Sequence, residues 1–434
     1  MITSAIGKIF LDAFNREYGT QYDARSFFIE QFYPLFFDHN KYMMTAGNAP
    51  LENPKISWDD MIRGTKPYET QQQRNERFEK LIKKMDNNIA DASVARAYPS
   101  TDVNATTSGQ VTNLSLPLST EDIYASWLGD ALAVGIQGGI SILFSHHQIL
   151  LDIYRGWQLY RQCLNNTSNL KGNQINTWNG QWLSHLYDSK VYDHKRPLAN
   201  FNPFVSKNDI MSLETQSWTK VLIGIARKYA NAQLMGYIYS IGQTNTTIGF
   251  IPFDLSGIRK PIHLYKKLFG DTNSRNAEAL WGTAHGLRKS CTAGTIGIKA
   301  MEPKGMRDYI DHNKLKMPKA PKNENETISI NVYKIWILAM LNNEQLWEKS
   351  QELAKLLNDA SVNTDKAIST KRKNLVENVL KAPNKKQFIV SASEIVSYVS
   401  DIERFKEIVK EVHSMPTDNV PYFLALVRFQ YNTI

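Results

Sequence analysis

Residues 332–341 read VYKIWILAML, a run of ten residues in which Lys334 is the single charged side chain. Further helical patterns follow this run at short intervals, and polar turns separate them. Short connections between successive helices are typical of a bundle of antiparallel neighbours. The sequence therefore predicts a compact C-terminal helical bundle over residues 327–434. Its helices are predicted at Val332–Leu341, Glu344–Leu357, Lys371–Leu380, Ser391–Val399 and Ile402–His413.

Upstream of the bundle, residues 311–326 (DHNKLKMPKAPKNENE) are rich in Lys, Pro and Asn and lack apolar periodicity. This composition predicts a flexible basic loop or an interdomain linker. Residues 1–310 are predicted to form a mixed, mainly helical N-terminal body. The fold class that follows is mostly α with a minor β component (α+β), ending in the C-terminal helical bundle.

Several segments of the N-terminal body carry apolar residues at helical spacing. Thr246–Phe253 gives the clearest strand signal, because β-branched and aromatic residues dominate it. The glycine-rich run 135–139 is predicted to separate two helices, and residues 165–180 are predicted to form a polar loop. Helices are predicted at Ser4–Tyr18, Arg25–Phe37, Thr70–Asp91, Ser119–Leu132, Ser141–Leu164 and Leu213–Tyr239.

The composition is that of a folded protein. The 434 residues are 42% hydrophobic and 11% aromatic, which provides a sizeable core and excludes disorder as the main state. Two cysteines cannot make a disulfide framework or a cysteine-based zinc cluster, so a reducing compartment is expected. The first residues lack the apolar core of a signal peptide, and no apolar window is long enough to span a membrane. These features predict a soluble, cytoplasmic protein without a membrane partner.

The charge balance favours an acidic partner. A formal net charge of +9 points most often to nucleic acid, because clustered Lys and Arg side chains contact phosphates. A polar stretch at residues 240–247 adds amides that are able to read base edges. The alternatives are a solvated lysine-rich face and ordinary turn residues. The predicted nucleic-acid-binding residues are Gln243, Asn245, Arg288, Lys289, Lys299, Lys304, Arg307, Lys371, Arg372, Lys373, Lys385 and Lys386.

Metal-dependent nucleases of the restriction type need an Asp and an (Asp/Glu)-x-Lys pair, whose acids hold Mg²⁺ while the Lys helps to activate water. About three such pairs are expected by chance in a chain of this composition, and three are found. The best placed one has Pro303 between its acid and its base, which would disrupt the strand pairing that such a site needs. No catalytic residue, metal site or cofactor is therefore predicted. The pairs are Asp188 with Lys190, Asp193 with Lys195, and Glu302 with Lys304.

Other chemistry-bearing residues form no recognised motif. The adjacent His146 and His147 would diverge by about 100° on a helix, so they cannot hold one metal ion together. Neither Cys163 nor Cys291 has a neighbouring base in the sequence. One polar segment is more typical of a solvated turn than of an acid–base site; it contains His185, Asp188, Asp193, His194, Lys195 and Arg196. Two tryptophans, Trp178 and Trp182, could either stack on bases or be buried in the core.

The order of parts resembles the large subunit of type I CRISPR surveillance complexes, in which a mixed N-terminal body precedes a basic helical bundle. Residues 242–250 (GQTNTTIGF), the bundle from Val332 onward and residues 371–379 (KRKNLVENV) carry this resemblance. It implies a non-catalytic protein that recognises a short duplex element through Gln243 and Asn245. It also implies that the basic bundle holds a displaced strand while a separate helicase–nuclease cuts.

Three functions remain open on these patterns. The one that we favour is a non-catalytic nucleic-acid-binding subunit of a prokaryotic antiviral-defence ribonucleoprotein, with DNA preferred over RNA and other protein subunits as partners. The second is a metal-dependent, restriction-like nuclease that uses Glu302 or Asp188. The third is a protein-interaction scaffold whose aromatic helix, residues 27–37, meets a partner.

Overall fold

The structure is a computed structural model that describes residues 1–46, 51, 57–87, 89–92, 97–100, 118–230, 232–240, 246–253, 255–270, 302–303, 305–311 and 321–434. The chain divides into two compact units, Met1–Leu255 and Ser256–Ile434. The segment predicted as a linker falls largely on residues outside these ranges, so the boundaries predicted at residues 310 and 327 stay predictions.

The first unit is mainly helical. Its helices are α1 (Ile2–Tyr18), α2 (residues 24–36), α3 (Trp58–Ile62), α4 (Gln71–Asn87), α5 (Thr120–Ala131), α6 (His147–Asn166), α7 (Ile175–Leu186) and α8 (Trp218–Lys228). A capping box of Asp23 and Ser26 opens α2, and one of Ser119 and Asp122 opens α5. These side chains bond the backbone N–H groups that a helix leaves unpaired at its start, which fixes where each helix begins.

Helix α2 brings a dense run of aromatic side chains into the core of the first unit. Its two α-helical segments, Ala24–Phe27 and Tyr33–Phe36, are joined by a π-helical turn, Phe28–Phe32. The helix predicted at Arg25–Phe37 is thus confirmed. Its use as a partner-binding face is wrong, because the side chains are packed inside the unit. Phe27, Phe28, Phe32, Phe36 and Phe37 are each at most 1% exposed.

Helices α1 and α5 approach each other closely enough for their backbones to touch. A Cβ added to Gly129 would lie far inside van der Waals contact of the Thr3 carbonyl oxygen, and one added to Gly7 would meet the Ala125 carbonyl in the same way. Only glycine fits such a contact between two backbones. The two glycines therefore set the spacing of this helix pair.

The described strands of the first unit pair with one another in antiparallel ladders. Strands β1 (Ile89–Ala92) and β2 (Ala97–Ser100) form one pair, and β5 (Phe204–Lys207) and β6 (Ile210–Leu213) form another. Strands β3 (Val134–Ile136), β4 (Ile140–Phe144), β7 (Leu234–Ser240) and β8 (Thr246–Phe253) form a four-stranded sheet in that order. Because β4 and β7 are far apart in the chain, this sheet closes a long loop that local sequence patterns do not reveal.

The sheet corrects several sequence predictions. The run 135–139 does not separate two helices; it forms the end of β3 and the turn into β4, where Gly138 and Gly139 adopt φ angles of 89° and 70°. The long helix predicted over residues 213–239 is wrong, because this segment contains α8 and then enters the sheet as β7. The loop predicted over residues 165–180 is wrong at its end, where α7 begins at Ile175. The strand predicted at Thr246–Phe253 is confirmed.

The second unit contains the predicted C-terminal bundle, which is confirmed. Its helices are α9 (Leu255–Phe269), α10 (Arg307–Ile310), α11 (Glu324–Leu341), α12 (Leu346–Ser361), α13 (Lys366–Leu380), α14 (Lys385–Ile395), α15 (Ile402–Ser414) and α16 (Val420–Tyr431). Helix α16 packs against α10, α11, α12 and α13 and is buried on all sides over most of its length. A helix whose residues are mostly apolar on every side belongs in the middle of a bundle, which explains this position.

Candidate nucleic-acid interface

Helices α13 and α14 present the basic surface of the bundle. Asp365 caps α13 by accepting hydrogen bonds from the backbone N–H groups of Ala367 and Ile368, at 2.8 and 3.0 Å. Asn384 caps α14 by accepting one from the Gln387 N–H at 2.9 Å. The two helices pack against each other through their apolar sides. These caps and contacts hold the polar sides of both helices toward solvent.

The charge along this segment is strongly one-sided. Residues 366–386 carry seven cationic side chains and one carboxylate, Glu377. Helix α14 has two lysines and no acid in its first turn. Since the N-terminal end of a helix already carries a partial positive charge, these lysines raise the local positive potential further. We call the exposed polar side of α13 and α14 the lysine face. Its cationic residues are Lys366, Lys371, Arg372, Lys373, Lys381, Lys385 and Lys386.

Three of the predicted binding residues stand free on the lysine face. Lys371, Lys373 and Lys386 are exposed and have no ion-pair partner among the described residues. Lys366, which the sequence prediction missed, is exposed and equally free within the described residues. The signal that would have found it is the near absence of acids between residues 366 and 386. These four ammonium groups are available to an anionic partner.

The other cations of the lysine face have internal roles. Arg372 donates a hydrogen bond to the Val362 carbonyl at 3.2 Å, and its guanidinium lies 4.6 Å from the centre of the Tyr398 ring. The Lys385 ammonium donates to the His413 carbonyl at 2.8 Å, next to the C-terminal end of α15. Lys381 forms an ion pair with Glu377, four residues earlier on α13, at 2.6 Å. Arg372 and Lys385 therefore fasten α13 and α14 to neighbouring segments.

Between α12 and α15, in contrast, cationic side chains are paired with carboxylates. Arg404 of α15 bonds Glu352 of α12 at 2.6 Å and Glu407 on its own helix at 2.7 Å. Lys349 of α12 forms an ion pair with Glu411 of α15. Charges along this seam thus satisfy one another within the bundle. Helices α12 and α15 thus carry acids beside their cations, whereas residues 366–386 contain a single carboxylate among seven cationic side chains.

Several predicted binding residues do not contribute to this face or lie outside the described structure. Arg307 bonds Glu302 through its guanidinium, and Tyr422 donates a hydrogen bond to the same carboxylate at 2.6 Å. Arg307 is therefore part of a closed polar cluster in the bundle. The remaining predicted residues lie outside the described ranges, namely Gln243, Asn245, Arg288, Lys289, Lys299 and Lys304.

The acids proposed for a nuclease centre are similarly engaged. The Glu302 side chain is 5% exposed and bonds Arg307 and Tyr422. The Asp188 carboxylate accepts a hydrogen bond from the Lys190 backbone N–H at 3.1 Å, as in an ordinary polar turn, and Asp193 does the same for Lys195 at 2.9 Å. Within the described part of the chain, no three His, Cys, Asp or Glu side chains are grouped to hold a metal ion.

The tryptophans considered for base stacking are core anchors. Trp178 is 0% exposed and donates from its indole nitrogen to the Gly156 carbonyl at 2.9 Å. Trp182 is 2% exposed and donates to the Asp152 carbonyl at 2.8 Å. Base stacking by either side chain is excluded by this burial.

His146 and His147 stack on each other with their ring centres 5.1 Å apart.

Comparison with known proteins gives no family for the chain. No protein-family model matches it, and no curated protein or solved structure gives a significant match. In the described residues, no helix combines the length and apolar character needed to cross a lipid bilayer. The lysine face is therefore the feature of the described residues that bears on function.

Proposed function

We propose that this protein is a non-catalytic nucleic-acid-binding protein that contacts phosphates through the lysine face of its C-terminal bundle. The observation that carries the proposal is the set of exposed ammonium groups on α13 and α14 that lack a carboxylate partner among the described residues. Lysines that meet phosphates release condensed counterions, which supplies sequence-independent affinity. An unpaired lysine makes this contact without first breaking an internal ion pair.

The proposed partner is DNA in preference to RNA, and other protein subunits are proposed to complete the assembly. Both proposals rest on the resemblance of the chain's layout to the large subunit of type I CRISPR surveillance complexes. In such a complex the lysine face would hold a displaced strand, and a separate enzyme would cut it. A role in prokaryotic antiviral defence in the cytoplasm is part of the same proposal.

The decisive experiment measures binding of labelled single-stranded and double-stranded DNA and RNA by fluorescence anisotropy over a range of salt concentrations. The test variant replaces Lys371, Lys373 and Lys386 with Gln. The matched control replaces three ion-paired lysines with Gln, so that the net charge changes equally. The control lysines are Lys66, Lys171 and Lys406, whose partners are Asp60, Asp59 and Glu403 at 3.1, 2.7 and 2.8 Å.

We expect the test variant to bind about tenfold more weakly and to show a salt slope shallower by about 2 to 3, since each lost phosphate contact removes roughly 0.7 to 0.9 from that slope. The control should retain most of the affinity of the unmodified chain. Equal weakening of both variants would show that only net charge matters and would overturn the lysine face as the site.

The same samples, incubated with Mg²⁺ or Mn²⁺, test the nuclease alternative. Intact nucleic acid after incubation agrees with a non-catalytic protein. Cleavage that is abolished by Glu302→Gln or Asp188→Asn would overturn the proposal and establish the enzyme. Folding of each variant is checked by thermal melting, because Glu302 also holds Arg307 and Tyr422 in place.

A further inference from the structure

A groove of about 430 Å³ opens on the surface of the first unit. Volumes of this size are typical of small-molecule sites. Its lining is unusual for a surface because aromatic rings make up half of it. The groove is lined by Phe14, Tyr18, Thr20, Tyr22, Gln31, Tyr154, Arg155 and Gln158.

Three helices, α1, α2 and α6, and one turn position these residues. Phe14 and Tyr18 lie four residues apart on α1, so they share one side of the helix, with ring centres 4.5 Å apart. Tyr154 of α6 packs its ring edge-to-face with Phe14 at 5.1 Å. Phe14 is buried and forms the floor, whereas Tyr18 is 46% exposed. The groove thus offers an accessible ring above an aromatic base.

The turn after α1 is fixed by one asparagine. The Asn15 side-chain oxygen accepts hydrogen bonds from the Tyr22 backbone N–H at 3.0 Å and from the Thr20 hydroxyl at 2.8 Å. Its amide nitrogen donates to the Tyr22 carbonyl at 2.8 Å. Gly19 ends α1 with a φ of 65°, which lets the chain turn back toward Tyr22. The groove is therefore formed before any ligand arrives, which lowers the entropic cost of binding.

The single cation of the groove is already neutralised. Arg155 bonds Asp152 and Glu17, both at 2.7 Å, so its charge is shared between two carboxylates. A phosphate would have to compete with these carboxylates, which argues against an anionic ligand. The electrostatics consequently give an anionic group no unpaired cation to bind in this groove.

The polar groups on the rim supply both donors and acceptors. Gln31 donates from its amide nitrogen to the Tyr22 hydroxyl at 3.0 Å. Gln158 is exposed one helical turn beyond Tyr154. Burial raises the pKa of Tyr154 to about 12, so that hydroxyl remains a neutral donor at physiological pH. Mixed amide and hydroxyl groups around an aromatic floor match a flat ring with donors and acceptors on its edge.

We infer that this groove binds a nucleobase, which stacks on Tyr18 and hydrogen-bonds through its edge to the amides of Gln31 and Gln158. Stacking on an aromatic side chain is the general means by which proteins hold unpaired bases. The base has two possible sources, a free nucleoside and an unpaired nucleotide of a single strand. This site does not depend on the lysine face, so a negative binding result for one leaves the proposal for the other unaffected.

The test titrates adenosine, guanosine, cytidine and uridine into the full chain and follows the groove resonances or the heat of binding. For a ligand of this size we expect a dissociation constant on the order of 0.1 mM for at least one base. Tyr18→Ala should weaken binding by about tenfold or more, because the stacking surface is removed. Tyr18→Phe keeps the ring and should retain most of the affinity. Tyr431→Ala, which changes a tyrosine of α16, is the matched control and should bind normally.

Ribose and inorganic phosphate serve as competing probes. Binding of either with the same affinity as a nucleoside would overturn the assignment, as would full binding by Tyr18→Ala. No nucleoside or oligonucleotide response at millimolar concentration would do the same. Thermal melting verifies that each variant is folded.

A second arm identifies the source of the base. It compares short single-stranded oligonucleotides with abasic strands of equal charge, using the variant that lacks Lys371, Lys373 and Lys386. Stronger binding of the strand that carries bases, lost in Tyr18→Ala, indicates a single-stranded source. Binding of nucleosides without this difference indicates a free nucleoside. Both results support a nucleobase site, whether or not the lysine face binds phosphates.

Discussion

The backbone of Gly129 on α5 lies directly against the carbonyl oxygen of Thr3 on α1, with no room for a Cβ between them. Gly129→Ala should therefore force the helix pair apart and destabilise the protein by about 1 to 3 kcal/mol. Urea unfolding of the variant checks this. The matched control is Gly224→Ala on α8, where the added carbon would lie 3.4 Å from the Tyr187 Cβ and gains helix propensity. Equal stability of both variants would contradict the close contact.

The buried carboxylate of Asp152 joins three helices. It accepts hydrogen bonds from the hydroxyls of Tyr187 at 2.8 Å and Tyr229 at 2.7 Å, at the ends of α7 and α8, while Asp152 belongs to α6. Asp152→Asn should cost about 2 to 3 kcal/mol in the free energy of unfolding, because charged acceptors make the stronger bonds. Denaturant titration provides the measurement. Asp12→Asn, at an exposed position of α1, is the control. A loss of stability in Asp152→Asn no larger than that in Asp12→Asn would refute this prediction.

Low pH should reduce the stability of the first unit because His39 then becomes protonated. Burial, and then repulsion by Arg161, lowers the pKa of His39 from 6.5 to about 4. Between these values the unfolded chain binds a proton that the folded chain does not, so stability falls as the pH drops from 6.5 to about 4. Thermal melts across this range should show a steeper decline for the unmodified chain than for His39→Asn. An unchanged slope in that variant would rule out His39 as the cause.

Neighbouring cations on α13 should respond differently to substitution. Arg372→Ala should lower stability by about 1 kcal/mol, because a hydrogen bond to Val362 and a contact with the Tyr398 ring are lost. Lys371→Ala should leave the melting temperature unchanged and weaken nucleic-acid binding. Melting curves and anisotropy titrations on the two variants separate these effects. If Arg372→Ala weakened nucleic-acid binding and Lys371→Ala lowered the melting temperature, Arg372 would be the residue that contacts nucleic acid.

Local sequence patterns predict the bundle well and the sheet poorly. Helices such as α13 and α15 carry their signal within a few turns, as apolar spacing and caps. Helix α16 was missed because VPYFLALVRFQY is mostly apolar, and its polar residues, Arg428 and Gln430, lie near its end and form no continuous polar side. Strand β7 was missed because its partner, β4, lies far away in the chain. Pairing over such distances leaves little trace in a local pattern.

The lysine cluster was visible in the sequence, but the role of each member was not. Arg372 and Lys371 are adjacent, yet only Arg372 faces Tyr398, a residue contributed by a later segment. Likewise, Lys385 bonds the carbonyl of His413 on the next helix, whereas Lys386 points to solvent. The aromatic groove was not predicted, because Tyr18 and Tyr154 come from helices that only the fold brings together.

The unequal distribution of charge among the helices of the bundle also has a kinetic consequence. Free ammonium groups on α13 and α14 create a field that extends about one Debye length, roughly 8 Å at physiological salt, whereas the paired charges between α12 and α15 largely cancel at that distance. A polyanion of the kind that we propose as the partner would therefore be turned toward α13 and α14 before contact. Orientation during encounter raises the association rate, and this gain is lost as the ionic strength increases.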